Sequence, residues 1–294
     1  MMNQDLATFM ATSKVWFITG CSSGFGKAFA FELLGRGDKV LAPARNATKL
    51  EALKDADATV FSLDVTSPLD ELKELAEWAN NQYGRIDYLI NNAGFCQLGG
   101  LEELTPEETQ AQFATNVFGP LNVTRSILPY MRARRSGIVA DFSSIGVWRG
   151  TPAVGIYEAS KWAVSGITET LRFELAEFNI KVCSIAPGYF RSDFPASGHK
   201  SLPQHVIADF DGKAVRGNPG EGGKTNQNQP GDRAKGAKVI IDVLTGANGK
   251  DVPVRIPLGA DANRIIKGKC EETIALLDEW KEIASSTDVD ISAK

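Results

Sequence analysis

The chain has 294 residues, of which 43% are hydrophobic and 23% are charged, and its formal net charge is −4. This composition is typical of a soluble globular protein, and the mildly acidic charge gives no reason to expect a nucleic-acid partner. The four cysteines are scattered and there are two histidines, which argues against a disulfide framework, a metal site or a His-based triad. No apolar run approaches the ~20 residues that would cross a membrane, so we expect a cytoplasmic, reducing location.

Apolar runs and amphipathic segments alternate along the chain after a loose N-terminal tail at residues 1–13, which lacks the form of a signal peptide. The pattern predicts strands at residues 14–19, 40–42, 59–63, 86–90, 137–140 and 180–185, and helices at 28–34, 48–54, 67–82, 106–134 and 151–178. It is typical of the α/β class and predicts a single Rossmann-type doubly wound parallel sheet with helices on both faces. Because parallel strands end at one edge of such a sheet, residues that follow the strands should meet there.

The alternation is interrupted between residues 194 and 236, where Gly, Asn, Lys and Gln are abundant. We interpret this segment as a substrate lid or insertion within one domain that spans residues 14–294; an inert surface loop or a linker is the alternative. A helix at 234–244, a strand at 252–258 and a helix at 262–283 follow, and the last lies in a C-terminal extension at about 259–294. Two prolines in the last strand predict that it lies at an edge of the sheet.

A glycine-rich turn follows the first strand. Gly20, Gly24 and Gly26 lie between that strand and the next helix, with Ser22 and Ser23 among them. Glycines let the backbone approach a pyrophosphate, while the helix N-terminus supplies N–H donors and a positive dipole. The serine hydroxyls add further donors. In this strand–turn–helix context the turn predicts a dinucleotide site.

The end of the second strand distinguishes the two nicotinamide cofactors. An acidic residue there would bond the ribose 2′-hydroxyl of NAD. The run at residues 42–46 has no carboxylate but carries Arg45, which can pair with a 2′-phosphate. The sequence therefore predicts NADP(H), with a solvated surface arginine as the alternative.

Ser144, Tyr157 and Lys161 form the candidate chemical site. Tyr157 and Lys161 lie four residues apart and share one face of a helix that should begin near Thr151 and Pro152. A free tyrosine is a poor base at neutral pH, and a neighbouring ammonium would lower its pKa. Ser144, at the end of the preceding strand, can hold a substrate oxygen. The arrangement suits proton transfer, although such a spacing also occurs by chance on solvated helix faces.

Taken together, residues 14–192 resemble the short-chain dehydrogenase/reductase family. The TGxxxGxG loop at residues 19–26, the NNAG motif at 91–94, the YxxxK motif at 157–161 and the PGxxxT-like run at 187–192 carry the resemblance. It implies a catalytic set made of Asn116, Ser144, Tyr157 and Lys161. Tyr157 would be the general acid/base, Ser144 would polarise the substrate carbonyl, and Asn116 would anchor a water-linked proton path to Lys161. The implied cofactor contacts are Gly20, Ser22, Ser23, Gly24, Phe25, Gly26, Arg45, Asp64, Val65, Asn92, Ala93, Gly94, Tyr157, Lys161, Pro187, Gly188 and Ser192.

Three departures from the family pattern stand out. Ser192 replaces the usual threonine but keeps the hydroxyl, Asp141 lies where asparagine is common, and the tail after Pro253 lacks the usual glycine-rich ending.

Apolar and aromatic residues follow several of the strands and predict an apolar substrate pocket. These candidates, any of which could equally be packing residues, are Phe95, Cys96, Trp148, Tyr189 and Phe194. Cys96 lacks a basic neighbour in sequence and is not expected to be a nucleophile.

The sequence predicts an NADPH-dependent carbonyl reductase or alcohol dehydrogenase that acts on an apolar, cyclic or aromatic small molecule. The alternatives are a non-redox NADP(H)-binding sensor or scaffold, and a biosynthetic enzyme whose net reaction is a cyclisation or isomerisation. Homo-oligomers are usual in the family, so a homodimer or homotetramer is expected.

Overall fold

The computed structural model describes residues 13–191, 200–217 and 229–289. In these ranges the strands, in chain order, are β1 (Val15–Ile18), β2 (Lys39–Ala44), β3 (Thr59–Ser62), β4 (Tyr88–Asn91), β5 (Cys96–Gln97), β6 (Gly137–Phe142), β7 (Ile180–Pro187), β8 (Lys200–Ser201) and β9 (Arg255–Leu258). The helices are α1 (Gly24–Gly35), α2 (Glu51–Asp55), α3 (Leu69–Tyr83), α4 (Pro106–Phe113), α5 (Gly119–Arg134), α6 (Gly155–Glu174), α7 (Ala214–Gly217), α8 (Arg233–Thr245) and α9 (Ala260–Ser285).

Seven of the strands form one sheet in the order β3-β2-β1-β4-β6-β7-β9. Each neighbouring pair is parallel, so all seven strands end at the same edge. The predicted doubly wound α/β sheet is therefore confirmed. The proline-containing strand β9 pairs with β7 and closes one side of the sheet, as its prolines predicted.

The core lies in two layers because successive strand residues point to opposite faces of the sheet. In β1, Trp16 and Ile18 pack with α1, α2 and α8 on one face. Val15 and Phe17 pack with α3 and α5 on the other. Burial on both faces explains why the strands are continuous apolar runs rather than alternating ones.

Asn116 lies in a π turn, Ala114–Phe118, that joins α4 to α5. The helical region begins as predicted at Pro106, where Thr105 and Glu108 form a reciprocal capping box. A π turn contains one more residue per turn than an α-helix and is frequent at functional sites. It orients the Asn116 side chain toward the sheet edge, where it is fully buried.

The helix that carries Tyr157 and Lys161 begins later than predicted. The sequence places its start at Thr151 and Pro152, but α6 begins at Gly155. Ala153 has a φ of 68°, which is outside the right-handed helical region and interrupts any earlier start. The backbone N–H of Thr151 instead donates to Glu158 Oε2 at 2.7 Å, so the preceding turn is tied to the first turn of α6.

The described residues 200–217, between β7 and α8, contact the chain between β5 and α4. The sequence did not predict that β8 pairs in parallel with β5. Residues 218–228 and 192–199 lie outside the described residues, as do most of the N-terminal tail and the end of the C-terminal extension. Among the described residues, no helix is both long and apolar enough to span a bilayer.

Candidate active site

The predicted site residues lie at the carboxyl edge of the sheet. The strands β1, β4 and β6 are adjacent, and they lead into the glycine turn, the Asn91–Gly94 run and Ser144, respectively. The glycine turn and Asn92 are about 70 residues apart in sequence, and Asn92 and Ser144 are about 50 apart. The parallel strands bring these distant segments together.

The glycine turn is held by Thr19 and Asn92. Asn92 Nδ2 donates to Thr19 O at 2.9 Å and to Gly20 O at 3.2 Å. Thr19 Oγ1 accepts from the backbone N–H groups of Asn92 and Ala93, each at 3.0 Å. Gly20 has a φ of 75°, and a Cβ at Gly26 would collide with the carbonyl oxygen of Gly20. Both glycines are therefore required by the backbone.

The start of α1 fits a pyrophosphate. Gly24 has a φ of 59°, and a Cβ built on it would meet nothing within 4 Å, so the space above the turn is open. The first turn of α1 has no acidic residue, which leaves its positive dipole end to an anion. Ser22 and Ser23 are half-buried in the same turn.

The Phe25 side chain packs among aromatic rings of the core, unlike the other residues of this turn. Its ring lies 5.1 Å from the Phe190 ring and 5.4 Å from the Phe142 ring, measured between centroids. The side chain is part of the core, so Phe25 would offer a cofactor its backbone rather than its ring.

The ends of β2 and β3 carry the residues predicted to face the adenosine half. Arg45 is exposed and has no ion pair or hydrogen-bond partner within the part of the chain that the structure describes. Asp64 Oδ1 accepts from the backbone N–H and the hydroxyl of Thr66 at 2.9 and 2.7 Å, so this carboxylate orders its own loop. Val65 is buried and fits against Gly119, where a Cβ would lie 2.7 Å from Val65 Cγ2.

Ser144, Tyr157 and Lys161 come together as predicted from their spacing. Ser144 follows β6, and its Oγ accepts from the backbone N–H of Gly146 at 3.0 Å; its hydroxyl lies close enough to Tyr157 to influence the pKa of the phenol. Lys161 Nζ lies 5.8 Å from the centre of the Tyr157 ring and donates to the carbonyl oxygen of Phe142 at 2.7 Å.

The pKa values of Tyr157 and Lys161 are shifted mainly by burial. Burial raises the pKa of Tyr157, and the nearby Cys96 acts in the same direction, while the Ser144 hydroxyl opposes the shift. Burial lowers the pKa of Lys161 to about 8. Burial is the largest influence on the Tyr157 pKa, and the Lys161 ammonium is bound to the Phe142 carbonyl; the lowering of the tyrosine pKa by Lys161 stays a prediction.

Asn116 and Lys161 both approach Gly94 on the side where a Cβ would lie. A Cβ on Gly94 would be 3.0 Å from Asn116 Oδ1 and 3.6 Å from Lys161 Nζ. The Asn116 amide is bonded to both backbone groups of Phe95, and its Nδ2 also donates to Ser160 Oγ at 3.2 Å. A Cβ at position 94 would be crowded by Asn116 Oδ1, so this contact favours glycine there. A water-linked path from Asn116 to Lys161 remains a prediction.

The loop after β7 is held by Asp261, which sequence reasoning missed. The backbone N–H of Gly188, next to Pro187, donates to Leu258 O at 2.8 Å. The backbone N–H of Tyr189 donates to Asp261 Oδ2 at 2.7 Å. An acidic residue in the first turn of α9 was visible in the sequence, but nothing local indicated its partner. Ser192 and Phe194 lie outside the described residues.

The predicted pocket residues separate into two groups. Cys96 is buried and lies near Tyr157, and burial raises the pKa of its thiol to about 12; Phe95 is half-buried next to it. Trp148 and the exposed Tyr189 lie toward α9. The Trp148 ring is 5.0 Å from the Arg255 guanidinium, and the Tyr189 hydroxyl accepts from Arg149 at 2.7 Å.

A buried carboxylate, Glu103, anchors residues 200–217, the described part of the chain between β7 and α8. Glu103 is 1% exposed, and it accepts hydrogen bonds from the backbone N–H groups of Gly100 at 2.8 Å and Ile207 at 2.9 Å. Arg216 donates to both of its oxygens. The Arg216 guanidinium lowers the pKa of Glu103 to about 2. The two residues are 113 apart in sequence, and no local pattern could have indicated this contact.

Comparison with known proteins agrees with this geometry. A family model described as short chain dehydrogenase matches residues 14–201. Oxidoreductase BOA17 of Botryotinia fuckeliana is 32% identical over 281 residues, which is 92% of this chain and 98% of that protein.

The fold of the chain is also similar to that of solved structures. A short-chain dehydrogenase from Streptomyces avermitilis has a TM-score of 0.84 and 35% identity, covering 95% of this chain and 100% of that chain. A metagenomic short-chain oxidoreductase in complex with NADP has a TM-score of 0.56 and 30% identity, covering 60% of this chain and 82% of that chain.

Proposed function

The chain belongs to the short-chain dehydrogenase family of oxidoreductases, and we propose that it is a carbonyl reductase that uses NADPH. The observation that carries this proposal is the meeting of Ser144, Tyr157 and Lys161 at the sheet edge, next to the glycine turn. A carbonyl that accepts a hydride develops negative charge on its oxygen. The Ser144 hydroxyl would offer that oxygen a hydrogen bond, the Tyr157 phenol a proton and the Lys161 ammonium a positive charge.

The glycine turn and the start of α1 would hold the pyrophosphate, and the loop at Pro187 and Gly188 would border the nicotinamide. Lys161 would also contact the nicotinamide ribose. When bound, the cofactor supplies the hydride. Two features favour NADP(H) over NAD: the end of β2 lacks a carboxylate, and Arg45 is exposed without a partner among the described residues. The metagenomic relative whose structure contains NADP supports this choice.

Tyr157 would supply the proton that reduction of a carbonyl needs. Because burial raises the pKa of Tyr157, its phenol keeps its proton at neutral pH and can give it to an oxygen that becomes an alkoxide. Ser144 would hold that oxygen by a hydrogen bond in the orientation that Tyr157 requires. Lys161 contributes a positive charge where negative charge develops.

An apolar substrate is proposed from the residues that border the trio. Cys96 lies near Tyr157, Phe95 precedes it in the chain, and the raised pKa of the Cys96 thiol keeps it neutral and unreactive. These side chains offer an aromatic or cyclic ketone apolar contacts but no charge.

A panel of ketones, quinones and aldehydes of increasing bulk, followed by NADPH absorbance, tests the proposal. Reduction should add two hydrogens to the product mass. A product of unchanged mass would indicate the cyclising or isomerising alternative. NADPH binding without turnover across the panel would contradict the proposal and favour a sensor or scaffold.

A further inference from the structure

The apolar side of helix α9 is exposed. Residues three or four apart share one face of a helix, and α9 carries apolar side chains at that spacing, which we call the α9 apolar face: Ile266, Cys270, Ile274, Leu277, Trp280 and Ala284. Ile274, Leu277 and Trp280 are 58%, 66% and 52% exposed. All residues from 271 to 285 are exposed, so the described part of the chain leaves most of this face uncovered.

A helix of this kind needs something to pack against. In water an isolated helix of about 15 residues is only marginally stable, and most helices in proteins are held by the packing of an apolar face. Residues 271–285 receive little such packing from the described chain, although Ala262 at the start of α9 is buried. Contiguous exposed apolar surface is typical of protein or membrane interfaces. We therefore expect a partner on this face.

The charges of α9 indicate which partner fits. Residues 264–270 carry three positive charges and no negative one, whereas residues 271–282 carry five negative charges and one positive charge. Two antiparallel copies of α9 would place the basic segment of each beside the acidic segment of the other, whereas parallel copies would place like charges together. A membrane surface suits α9 less, because helices at membrane surfaces are rich in Lys and Arg on their polar side. The pattern therefore favours a second copy of this chain.

Two pairs of opposite charges define one register. At about 100° per residue, Lys267 and Asp278 lie on one flank of the α9 apolar face. Lys269 and Glu279 lie on the other flank, and neither of the two acidic residues has an ion pair among the described residues. In an antiparallel pair each flank meets the same flank of the other copy, and a two-fold axis makes the contact reciprocal. Both charge pairs are centred near Thr273, so one axis at that residue would form both.

The apolar side chains fit the same register. With the axis at Thr273, Trp280 of each copy would lie opposite the half-buried Ile266 of the other, and Leu277 would lie beside Cys270. Ile266 is one turn from Ala262, which is buried against its own domain. The exposed half of each helix would thereby cover the half that stays close to the domain of the other copy.

We propose that the α9 apolar face binds a second copy of this chain, with the two α9 helices antiparallel about a two-fold axis near Thr273. The inference assigns a surface to the oligomer expected from the sequence, and it does not depend on the proposed function. The contact would give the exposed half of α9 the packing that the described part of its own chain does not supply.

Sedimentation velocity of the wild type and of the double variant Ile274→Ser/Leu277→Ser tests the surface. The double variant should form an assembly of half the wild-type mass, because each α9 contact joins two copies. The matched control is Arg264→Ser/Glu282→Ser, which changes two exposed residues on the opposite side of the same helix and keeps the net charge. This control should keep the wild-type mass.

A charge reversal tests the antiparallel arrangement. Lys267→Glu should raise the dissociation constant of the α9 contact about tenfold, because the symmetric contact contains the pair twice. Adding Asp278→Lys to the same chain should restore association. The two residues are eleven apart in sequence, roughly 16 Å along one helix, so this rescue requires two copies. In the control Lys267→Glu/Glu271→Lys, the ion pair that joins these two residues within the helix is kept with reversed charges, and association should stay weak.

Three outcomes would overturn the inference. The first is a wild type that sediments as a monomer; binding of that monomer to phosphatidylglycerol vesicles would assign the face to a membrane instead. The second is a wild-type mass in Ile274→Ser/Leu277→Ser, and the third is a failure of Asp278→Lys to rescue Lys267→Glu. None of these measurements needs a substrate, so they remain decisive even if the protein reduces none of the carbonyls in the panel.

Discussion

The amide of Asn116 pairs with both backbone groups of Phe95. Asn116 Oδ1 accepts from Phe95 N at 3.1 Å, and Asn116 Nδ2 donates to Phe95 O at 2.9 Å. The carbonyl of Phe95 also accepts from Gln112 Nε2 at 2.9 Å, whereas its N–H has no second partner among the described contacts. The side chain therefore fixes the start of β5 against the π turn.

Asn116→Ala should destabilise the protein by about 1–3 kcal/mol, because it leaves the N–H of Phe95 without its acceptor. Urea denaturation monitored by circular dichroism measures the loss. Asn122→Ala is the control: Asn122 is on α5 and accepts from the exposed Arg125 side chain, so its change should cost much less. Equal losses in the two variants would argue against an anchoring role for Asn116.

Tyr157→Phe should abolish turnover while NADPH still binds. The change removes one hydroxyl, the proposed proton donor, and keeps the ring that packs near Lys161. We expect kcat to fall by about 10²–10⁴-fold, the usual contribution of a positioned general acid. Turnover assays combined with NADPH fluorescence titration separate the two effects. Retained turnover would remove Tyr157 from the proposed chemistry.

Arg45→Ala should raise the KM for NADPH much more than the KM for NADH. The two cofactors differ by the 2′-phosphate, and a lost charge-assisted bond to phosphate costs about 1.5–3 kcal/mol, or roughly ten- to a hundredfold in affinity. Lys54→Ala, another exposed basic residue in this region, should affect both cofactors little. Equal effects of Arg45→Ala on the two cofactors would contradict the choice of NADP(H).

Glu103→Gln should lower the Tm by several degrees at pH 7. The control variant Glu102→Gln, at an exposed position, should have a Tm close to that of the wild type. Arg216 holds the pKa of Glu103 at about 2, below its ordinary value of 4.5. A carboxyl whose pKa is lower in the folded protein than in the unfolded chain stabilises the protein when the pH is above the unfolded-state pKa. This stabilisation is lost as the pH falls toward the folded-state pKa.

The difference in Tm between wild type and Glu103→Gln should therefore disappear as the pH is lowered from about 4.5 to about 2. Thermal melts across that range measure it. A difference that persists unchanged at pH 2 would mean that the charge of Glu103 does not stabilise the protein.

The sequence predicted those parts of the fold that depend on local pattern. Strands buried on both faces are continuous apolar runs, and glycine positions fixed by the backbone stand out in sequence. The helix start near Thr151 was misplaced because nothing marks Ala153 for a left-handed conformation. The contacts of Glu103 with Arg216 and of Asp261 with Tyr189 were missed because they join distant segments, and the parallel pairing of β5 with β8 was missed for the same reason.

The extra residue in the π turn at Ala114–Phe118 makes this part of the chain more sensitive to length than to composition. Removing one residue there would restore an ordinary α-helix and rotate everything on one side of the turn by about 100° relative to the other. Asn116 would then face away from Phe95 while α5 kept its place. Related proteins that share this geometry should therefore tolerate substitution of an exposed turn residue such as Phe118, but no single-residue deletion.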